Sequence, residues 1–242
     1  MIGLGTALNV IGILAGGVLG LWRRKPFSPA TESRFKVALG VFTVFYGLRL
    51  TCLSLDWSFP RILKQLFVTV VAMMLGKVTG RVLHLQKMSN RLGQGARENI
   101  AAAKPQGAHR LGDGFKTCAK LFCAAPLAIL GAVQDGLSGY FYPLGVKGVM
   151  DGLATMGFVR VFGWGVMVAA LPVLAFQGTL WLICALHLKP VLAAHGLLDS
   201  VNAVGGLLVF CVALVILGIK RIELADYLPS LAIAPLLTWV WP

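Results

Sequence analysis

The sequence predicts an all-α fold, a polytopic transmembrane bundle of about eight helices, some of them short or broken, and two observations support this. Hydrophobic residues make up 57% of the 242 residues and charged residues only 13%, about half the charged share of soluble domains. The apolar residues also form successive long runs, most of them close to the roughly 20 residues that cross a bilayer as a helix. We therefore treat residues 1–242 as a single integral membrane domain.

The net charge of +13 could indicate a nucleic-acid partner, but the positions of the basic residues argue against one. Most of them lie in short loops between apolar runs, as expected for cytoplasmic loops of a membrane protein. The predicted surroundings are therefore the lipid bilayer, and no nucleic-acid partner is predicted. The five cysteines form no CxxC pair, and neither a metal site nor a cofactor is predicted.

The first three helices are predicted within residues 1–84. Segment one, Ile2–Trp22, is followed directly by the basic run Arg23–Lys25, which places the amino terminus outside. Its glycines predict a face that another helix can approach closely, and its strongly polar residue Asn9 predicts an interhelical hydrogen bond. Segment two, Val37–Cys52, returns outward, and segment three, Phe59–Leu83, runs back inward.

A basic, glycine-rich stretch, residues 85–116, is predicted to be a flexible cytoplasmic linker. Such a stretch can attract anionic lipid, although a solvated run of charges is the simpler interpretation.

The remaining helices are predicted within residues 117–242. Segment five, with two charged residues, could either cross the membrane or re-enter it, and the distribution of basic residues favours a crossing. That gives eight crossings with both termini outside. Segment eight spans about 22 Å as a helix, less than the roughly 30 Å of a bilayer core. Segments four to eight are, in order, Thr117–Val133, Leu144–Val159, Phe162–His187, Val201–Ile219 and Tyr227–Trp241.

A weak internal repeat connects the two ends of the chain. Segments two and three contain Gly47 followed by Pro60, and segments seven and eight contain Gly218 followed by Pro229. In the eight-crossing topology these two units would be inverted, which is an arrangement common in secondary transporters.

The candidate site lies in the stretch Leu127–Thr155, where charged residues and glycines interrupt apolar sequence. Ionisable residues at membrane depth are costly and usually face a cavity or a partner. Glycine beside a carboxylate permits unwound backbone, and discontinuous helices build ion sites in transporters. The predicted ligand- or ion-binding residues are Asp135, Asp151, Gln134, Lys147 and Gln177, and the predicted glycine breaks are Gly136, Gly152 and Gly178.

Structural interpretations of the same residues remain open. Asp135 could cap a helix in an outer loop, and Asp151 could pair with Lys147 without binding a ligand. The Gln177-Gly178 pair could simply follow a kink at Pro172, with neighbouring helices satisfying the freed carbonyl groups.

Several short motifs together resemble a known family. They include Gly5-Thr6 with Asn9, Gln134 to Leu137, Lys147 with Asp151-Gly152, and Ala203 to Leu208. These motifs resemble the YqgA/YdfK-like family of small prokaryotic integral membrane proteins of unknown function. The resemblance covers nearly the whole chain and is weakest in the linker. It implies a multi-pass protein of the prokaryotic cytoplasmic (inner) membrane, without an activity or substrate to carry over.

The function predicted for such a chain is a small transporter or channel with an intramembrane carboxylate site, coupled to protons or sodium. A non-transporting assembly or regulatory component is the alternative, and an intramembrane enzyme is the third. Neither HExxH, GxSxG nor GxxxxGK[ST] occurs in the sequence, so no catalytic residue and no enzyme activity are predicted. The predicted partners are a small ion or metabolite and a second copy of the chain in a homo-oligomer.

Overall fold

The computed structural model of the chain describes residues 3–23, 27–55, 58–102 and 111–241. Within these ranges every regular element is helical, which confirms the predicted all-α bundle. The helical elements include a 3₁₀ segment, Trp164–Ala169, and a π-helical turn, Cys184–Leu188. The α-helices are α1 (Leu4–Trp22), α2 (Pro29–Leu53), α3 (Phe59–Val82), α4 (Leu85–Ala102), α5 (Leu111–Ala124), α6 (Pro126–Ser138), α7 (Tyr142–Phe162), α8 (Ala170–Ile183), α9 (Lys189–Ala194), α10 (Leu198–Ile216), α11 (Leu224–Tyr227) and α12 (Ser230–Val240).

Local sequence signals explain several helix ends. Ser28 caps α2, because its side chain accepts a hydrogen bond from the Thr31 N–H, and Pro29 occupies the first turn, where no backbone donor is needed. Gly139 and Gly163 follow α6 and α7 with φ of 68° and 76°. Glycine adopts this left-handed region without the steric cost that a Cβ atom would add.

Within the described part of the chain, five helical stretches are long and apolar enough to cross a membrane, or six if the bent pair α5 and α6 forms one span. α7 has 21 residues, but Lys147 and Asp151 lower its hydropathy, and the helical stretch Leu224–Val240 is short. On α2 and α3, Val41, Phe45 and Phe67 are each more than half exposed. Large apolar side chains on such an outer surface are suited to contact with lipid.

The order of contacts shows how the helices run relative to one another. Residue numbers rise together where α1 meets α7, so these helices are parallel. They run in opposite senses where α2 meets α10 and where α3 meets α11 and α12, so those pairs are antiparallel. Between α1 and α7, Gly12 meets Gly148 and Gly20 meets Met156. Between α2 and α10, Gly40 meets Leu217 and Gly47 meets Phe210. On α3, Gly76 meets Ser230 of α12 and Gly80 meets Asp226 of α11.

These helix directions help to decide whether segment five, Leu144–Val159, crosses the membrane or re-enters it. A re-entrant segment would return the chain to the side it came from, and α10 would then run parallel to α2. The observed antiparallel packing, together with a continuous α7 beside α1, favours the crossing. The directions are those that eight successive crossings produce, and the eight crossings themselves stay a prediction.

The helix breaks do not lie where the sequence analysis placed them. Gly136, Gly152 and Gly178 each lie inside a continuous helix, so the predicted glycine breaks are wrong. Glycine costs a helix only about 1 kcal/mol, and packing against neighbouring helices readily offsets that. The chain instead bends by 58° between α5 and α6 at Pro126, since proline has no N–H and disfavours helical backbone at the residue before it.

The stretch predicted as a flexible linker is largely ordered. Residues 85–102 form α4, so that expectation does not hold for them, and residues 103–110 lie outside the described residues. Gln86 fixes the start of α4 to α11: its N–H donates to Asp226 Oδ1 at 2.9 Å, and its Oε1 accepts from the Ala225 N–H at 3.0 Å. These tertiary hydrogen bonds hold the beginning of α4 in place, and the polar composition of the stretch gave no indication of them.

Candidate functional site

The site is built on a glycine seam between α1 and α7. A Cβ atom on Gly12 would overlap the Gly148 carbonyl group, and one on Gly16 would overlap the Gly152 carbonyl group. Small residues at such positions let two helix backbones approach closely in a membrane protein. Gly152 therefore serves close packing, and the seam places Asn9 of α1 directly beside α7.

A buried ion pair lies on α7 next to this seam. The Lys147 ammonium group donates to the Asp151 carboxylate, and the two side chains are 3% and 12% exposed. Their i,i+4 spacing puts them on one helix face, so the pairing named in the sequence analysis is present. The Lys147 Nζ also lies 5.7 Å from the centre of the Phe122 ring on α5. Burying two charges carries a desolvation cost that close pairing only partly repays.

Two carboxamides extend the ion pair across α1 and α8. Asn9 Nδ2 donates to Gln177 Oε1 at 3.2 Å, which confirms the predicted interhelical hydrogen bond of Asn9. The Asn9 side chain also lies close to the Asp151 carboxylate. Asn9 and Gln177 are both 0% exposed. The four side chains Lys147, Asp151, Asn9 and Gln177 form what we call the polar network, which joins three helices.

The polar network is incompletely satisfied. Among the described residues, Asn9 Oδ1 and Gln177 Nε2 have no hydrogen-bond partner, and neither has Thr6 Oγ1 on the same helix as Asn9. A buried polar atom without a partner costs about 1–3 kcal/mol, so such atoms usually bind water, an ion or a ligand. One carboxamide oxygen and one carboxamide N–H group of the polar network are thus available beside its buried carboxylate, and a further hydroxyl group lies on α1.

Asp135 lies on α6 and contacts the beginning of α1. Its Oδ2 accepts a hydrogen bond from the Gly5 N–H at 3.0 Å, and the residue is 5% exposed. No local side chain caps α1. The first N–H groups of a helix need acceptors and carry partial positive charge, so Asp135 acts as a cap supplied by another helix. This is a capping role, but from within a buried helix and not from an outer loop.

Gln134 points away from the polar network, towards α10. Its Nε2 donates to the Val201 carbonyl oxygen at 3.5 Å, and Gly205 leaves room for its amide group. Its Oε1 has no partner among the described residues. The structure therefore joins Lys147, Asp151 and Gln177 and attaches Asp135 to α1. It does not link Gln134 to the polar network within the described residues.

Sequence reasoning missed Thr6 and Phe122 as parts of this region. The signal for Thr6 is its i,i+3 spacing from Asn9, which places two polar groups on one face of an otherwise apolar helix. Phe122 carried no signal, because its contact with Lys147 depends on how α5 packs against α7.

A separate cavity of about 1230 Å³ lies between α3, α4, α5, α10 and α11. None of the five predicted binding residues lines it. Leu121 and Pro126 line the cavity, whereas the intervening Phe122 contacts Lys147. The bend between α5 and α6 thus separates the cavity from the polar network. Among the described residues, no group of three or more His, Cys, Asp or Glu side chains is placed to hold a metal ion.

The long apolar helices and the buried polar network define a polytopic helical membrane protein, and comparisons with known proteins agree. The chain belongs to the family described as "Protein of unknown function (DUF554)", which matches residues 4–239. This confirms the resemblance found in the sequence. The protein is an integral membrane protein of unknown function in a lipid environment.

Two relatives span almost the same length as this chain. It is 28% identical to the uncharacterized membrane protein YdfK of Bacillus subtilis (strain 168), over 98% of this chain and 96% of that one. It is 30% identical to the uncharacterized protein YqgA of Escherichia coli (strain K12), over 98% and 97% respectively. No solved structure matches the chain.

Proposed function

We propose that the protein is a small transporter or channel, not an enzyme, whose ion or small metabolite binds at the polar network. One observation carries the proposal: a buried ion pair lies next to carboxamide atoms that have no hydrogen-bond partner in the described part of the chain. A purely structural network gains most when every member is satisfied, because a partly satisfied one retains the desolvation cost. A bound ligand would supply the missing contacts.

Coupling to a monovalent cation follows from the charges. In the unloaded state Lys147 neutralises Asp151. A sodium ion or proton that binds Asp151 would compete with the lysine and release it, and the unpartnered carboxamide oxygen of Asn9 would be a further ligand of a sodium ion. Intramembrane carboxylates commonly mark such ion pathways.

Access to the polar network from one side would use the cavity. The wall between them is the α5–α6 bend, where Phe122 covers Lys147. A bend at a proline can change angle without breaking further helical hydrogen bonds, since the proline contributes no N–H. Movement of this bend would open the path, and Asp135 would transmit movement of α6 to the beginning of α1.

The membrane arrangement that fits this mechanism has eight crossings and both termini outside, in a prokaryotic inner membrane. The packed helix directions and the basic residues of the first loop support it. The antiparallel contacts of α2 with α10 and of α3 with α12 also suit the inverted repeat.

The test is a thermal-shift screen of detergent-purified protein against monovalent and divalent ions, amino acids and small organic acids. A ligand at 100 times its Kd stabilises the folded state by about 2.7 kcal/mol. We expect a stabilising ligand whose effect is lost in Asp151→Asn and weakened in Asp135→Asn. Asp113→Asn is the matched control, because Asp113 is exposed near the start of α5. A ligand that stabilises all variants equally would contradict the proposed site, and so would a screen without any stabilising ligand.

A further inference from the structure

The cavity beside α4 has features that the proposed transport site does not use. One wall is apolar and includes Met73, Leu214 and Val215, while α4 contributes the polar side chains Ser89 and Asn90. Its volume of about 1230 Å³ exceeds the roughly 300–1,000 Å³ of typical small-molecule sites. It can therefore hold a polar group together with apolar chain.

Helix α4 forms a fixed wall of this cavity. The reciprocal hydrogen bonds of Gln86 with Asp226 and Ala225 attach its beginning to α11. One turn later, the Ser89 hydroxyl donates to the Ala124 carbonyl oxygen at 3.2 Å, next to the α5–α6 bend. α4 therefore holds its polar side chains over the cavity.

The charged side chains around the cavity are mainly positive. Lys77, Lys220 and Arg221 are the basic residues among the described lining residues. Glu223 also lines the cavity, but its carboxylate pairs with Arg81 at 3.3 Å. Lys77 is held over the Tyr227 ring at 5.3 Å, a cation–π contact that leaves an ammonium group free to bind an anion.

We propose that this cavity binds a phosphate group, carried either by an anionic lipid headgroup or by a free phosphorylated compound. Lysine and arginine are the side chains best suited to bind phosphate, through charge-assisted hydrogen bonds. The basic residues lie at one end of the bundle, where α3 ends and α11 begins. The apolar wall suits the acyl chains of a lipid. The site is distinct from the polar network, since none of the described lining residues belongs to that network, but it lies on the proposed access path.

Cys211 provides a local reporter because it lines the cavity and is half-buried. In a variant that keeps Cys211 as the single cysteine, the rate of reaction with a negatively charged methanethiosulfonate reagent is measured. The rate is measured under four conditions: without any addition, with inorganic phosphate, in vesicles of phosphatidylglycerol and in vesicles of phosphatidylcholine. We expect phosphate or phosphatidylglycerol to slow the reaction relative to phosphatidylcholine.

The matched variants change the same net charge at two places. Lys220→Gln/Arg221→Gln removes two cations of the cavity, and Lys87→Gln/Arg91→Gln removes two exposed cations of α4 that do not line it. A charge-assisted hydrogen bond contributes about 1.5–3 kcal/mol, so the first variant should bind the protecting species about 10- to 100-fold more weakly. The second should bind it as the parent does.

The outcomes separate the two sources of phosphate. Protection by inorganic phosphate as well as by phosphatidylglycerol indicates a site for free phosphorylated compounds, and protection by phosphatidylglycerol alone indicates a lipid headgroup site. The absence of protection by either probe overturns the proposal, and so does equal protection in both double variants. If the single-cysteine variant does not fold, the same four conditions are compared by thermal unfolding with the native cysteines. A stabilisation lost only in Lys220→Gln/Arg221→Gln supports the site, and any other pattern overturns it.

Discussion

Among the close glycine contacts of the bundle, the seams of α1 with α7 and of α2 with α10 have the same kind of packing but differ in the polar side chains beside them. In each seam glycine lets two backbones touch: Gly16 against Gly152 in the first, Gly47 against Gly206 in the second. At the second seam the buried Thr51 hydroxyl lies within hydrogen-bonding distance of the Gly47 and Ala203 carbonyl oxygens. The first seam adjoins a buried ion pair and two carboxamide atoms that have no partner among the described residues.

The difference between the seams separates the packing role of the glycines from the role of the buried charges. Close helix contact is achieved in both places, so the buried charges beside α1 are not needed to build such a seam. A charge pair in a buried site is weak support for stability, because apolar residues of similar volume often serve as well. The polar content of the first seam therefore supports the proposed ligand site, and four experiments test this comparison.

The largest effect is expected for Lys147→Met. It leaves the Asp151 carboxylate buried without its cation, which costs about 3–5 kcal/mol of the free energy of unfolding. Unfolding in mixed detergent measures the loss. The double variant Lys147→Met/Asp151→Leu should recover most of it, and Lys36→Met, at an exposed position, should change little. If Lys147→Met proves as stable as Lys36→Met, the ion pair does not form in the folded protein.

The two seams should respond alike to an added methyl group. Gly16→Ala and Gly206→Ala each place a Cβ atom against a neighbouring backbone or hydroxyl group, and overpacking of this kind costs about 1–3 kcal/mol. The measurement is thermal unfolding of both variants in the same detergent. A loss of stability in only one of the two variants would show that close glycine packing does not hold both helix pairs together.

A smaller effect is expected for Asp135→Ala. Losing the acceptor for the Gly5 N–H should lower the stability by about 0.5–2 kcal/mol, as for other helix caps. Hydrogen exchange of the first amides of α1 should rise, whereas exchange in α10 should not. Asp135→Asn retains an acceptor and should lose less. Unchanged exchange at Gly5 in Asp135→Ala would show that the carboxylate does not cap α1.

The smallest effect, and the only stabilising one, is expected for Gly157→Ala. Gly157 lies on α7 like Gly152, but a Cβ atom there would meet no described atom of a neighbouring element within 4 Å. Alanine is favoured over glycine in a helix by about 0.8–1.0 kcal/mol, so the melting temperature should rise slightly. A fall would mean that this face of α7 is covered, for example by a second copy of the chain.

Much of the candidate site could be predicted because its signals are local. Lys147 and Asp151 are four residues apart on one helix, so their pairing follows from helix geometry alone. The hydrogen bond of Asn9 across helices follows from a single polar residue in an apolar run. The bend at Pro126 also had a local signal, since the residue before a proline avoids helical backbone, but glycine was given more weight than proline.

Other contacts had no local signal. Asp135 and Gly5 are 130 residues apart, and the adjacent Gln134 faces a different helix, α10. Neighbouring residues on a helix point about 100° apart, so their partners depend on which helices surround α6. The order of α4 likewise depends on Gln86 reaching Asp226, 140 residues away.

The sequence by itself determined the all-α membrane class, the cost of the buried charges and the spacing that lets Lys147 pair with Asp151, because composition and helical geometry decide these. The tertiary structure decided where α1 meets α6, α7 and α8, and thereby which polar atoms meet and which are left without partners. Hydrophobic and glycine patterns allow many helix pairings. The bundle as a whole selects one, since only the complete set of contacts fixes the direction and rotation of each helix.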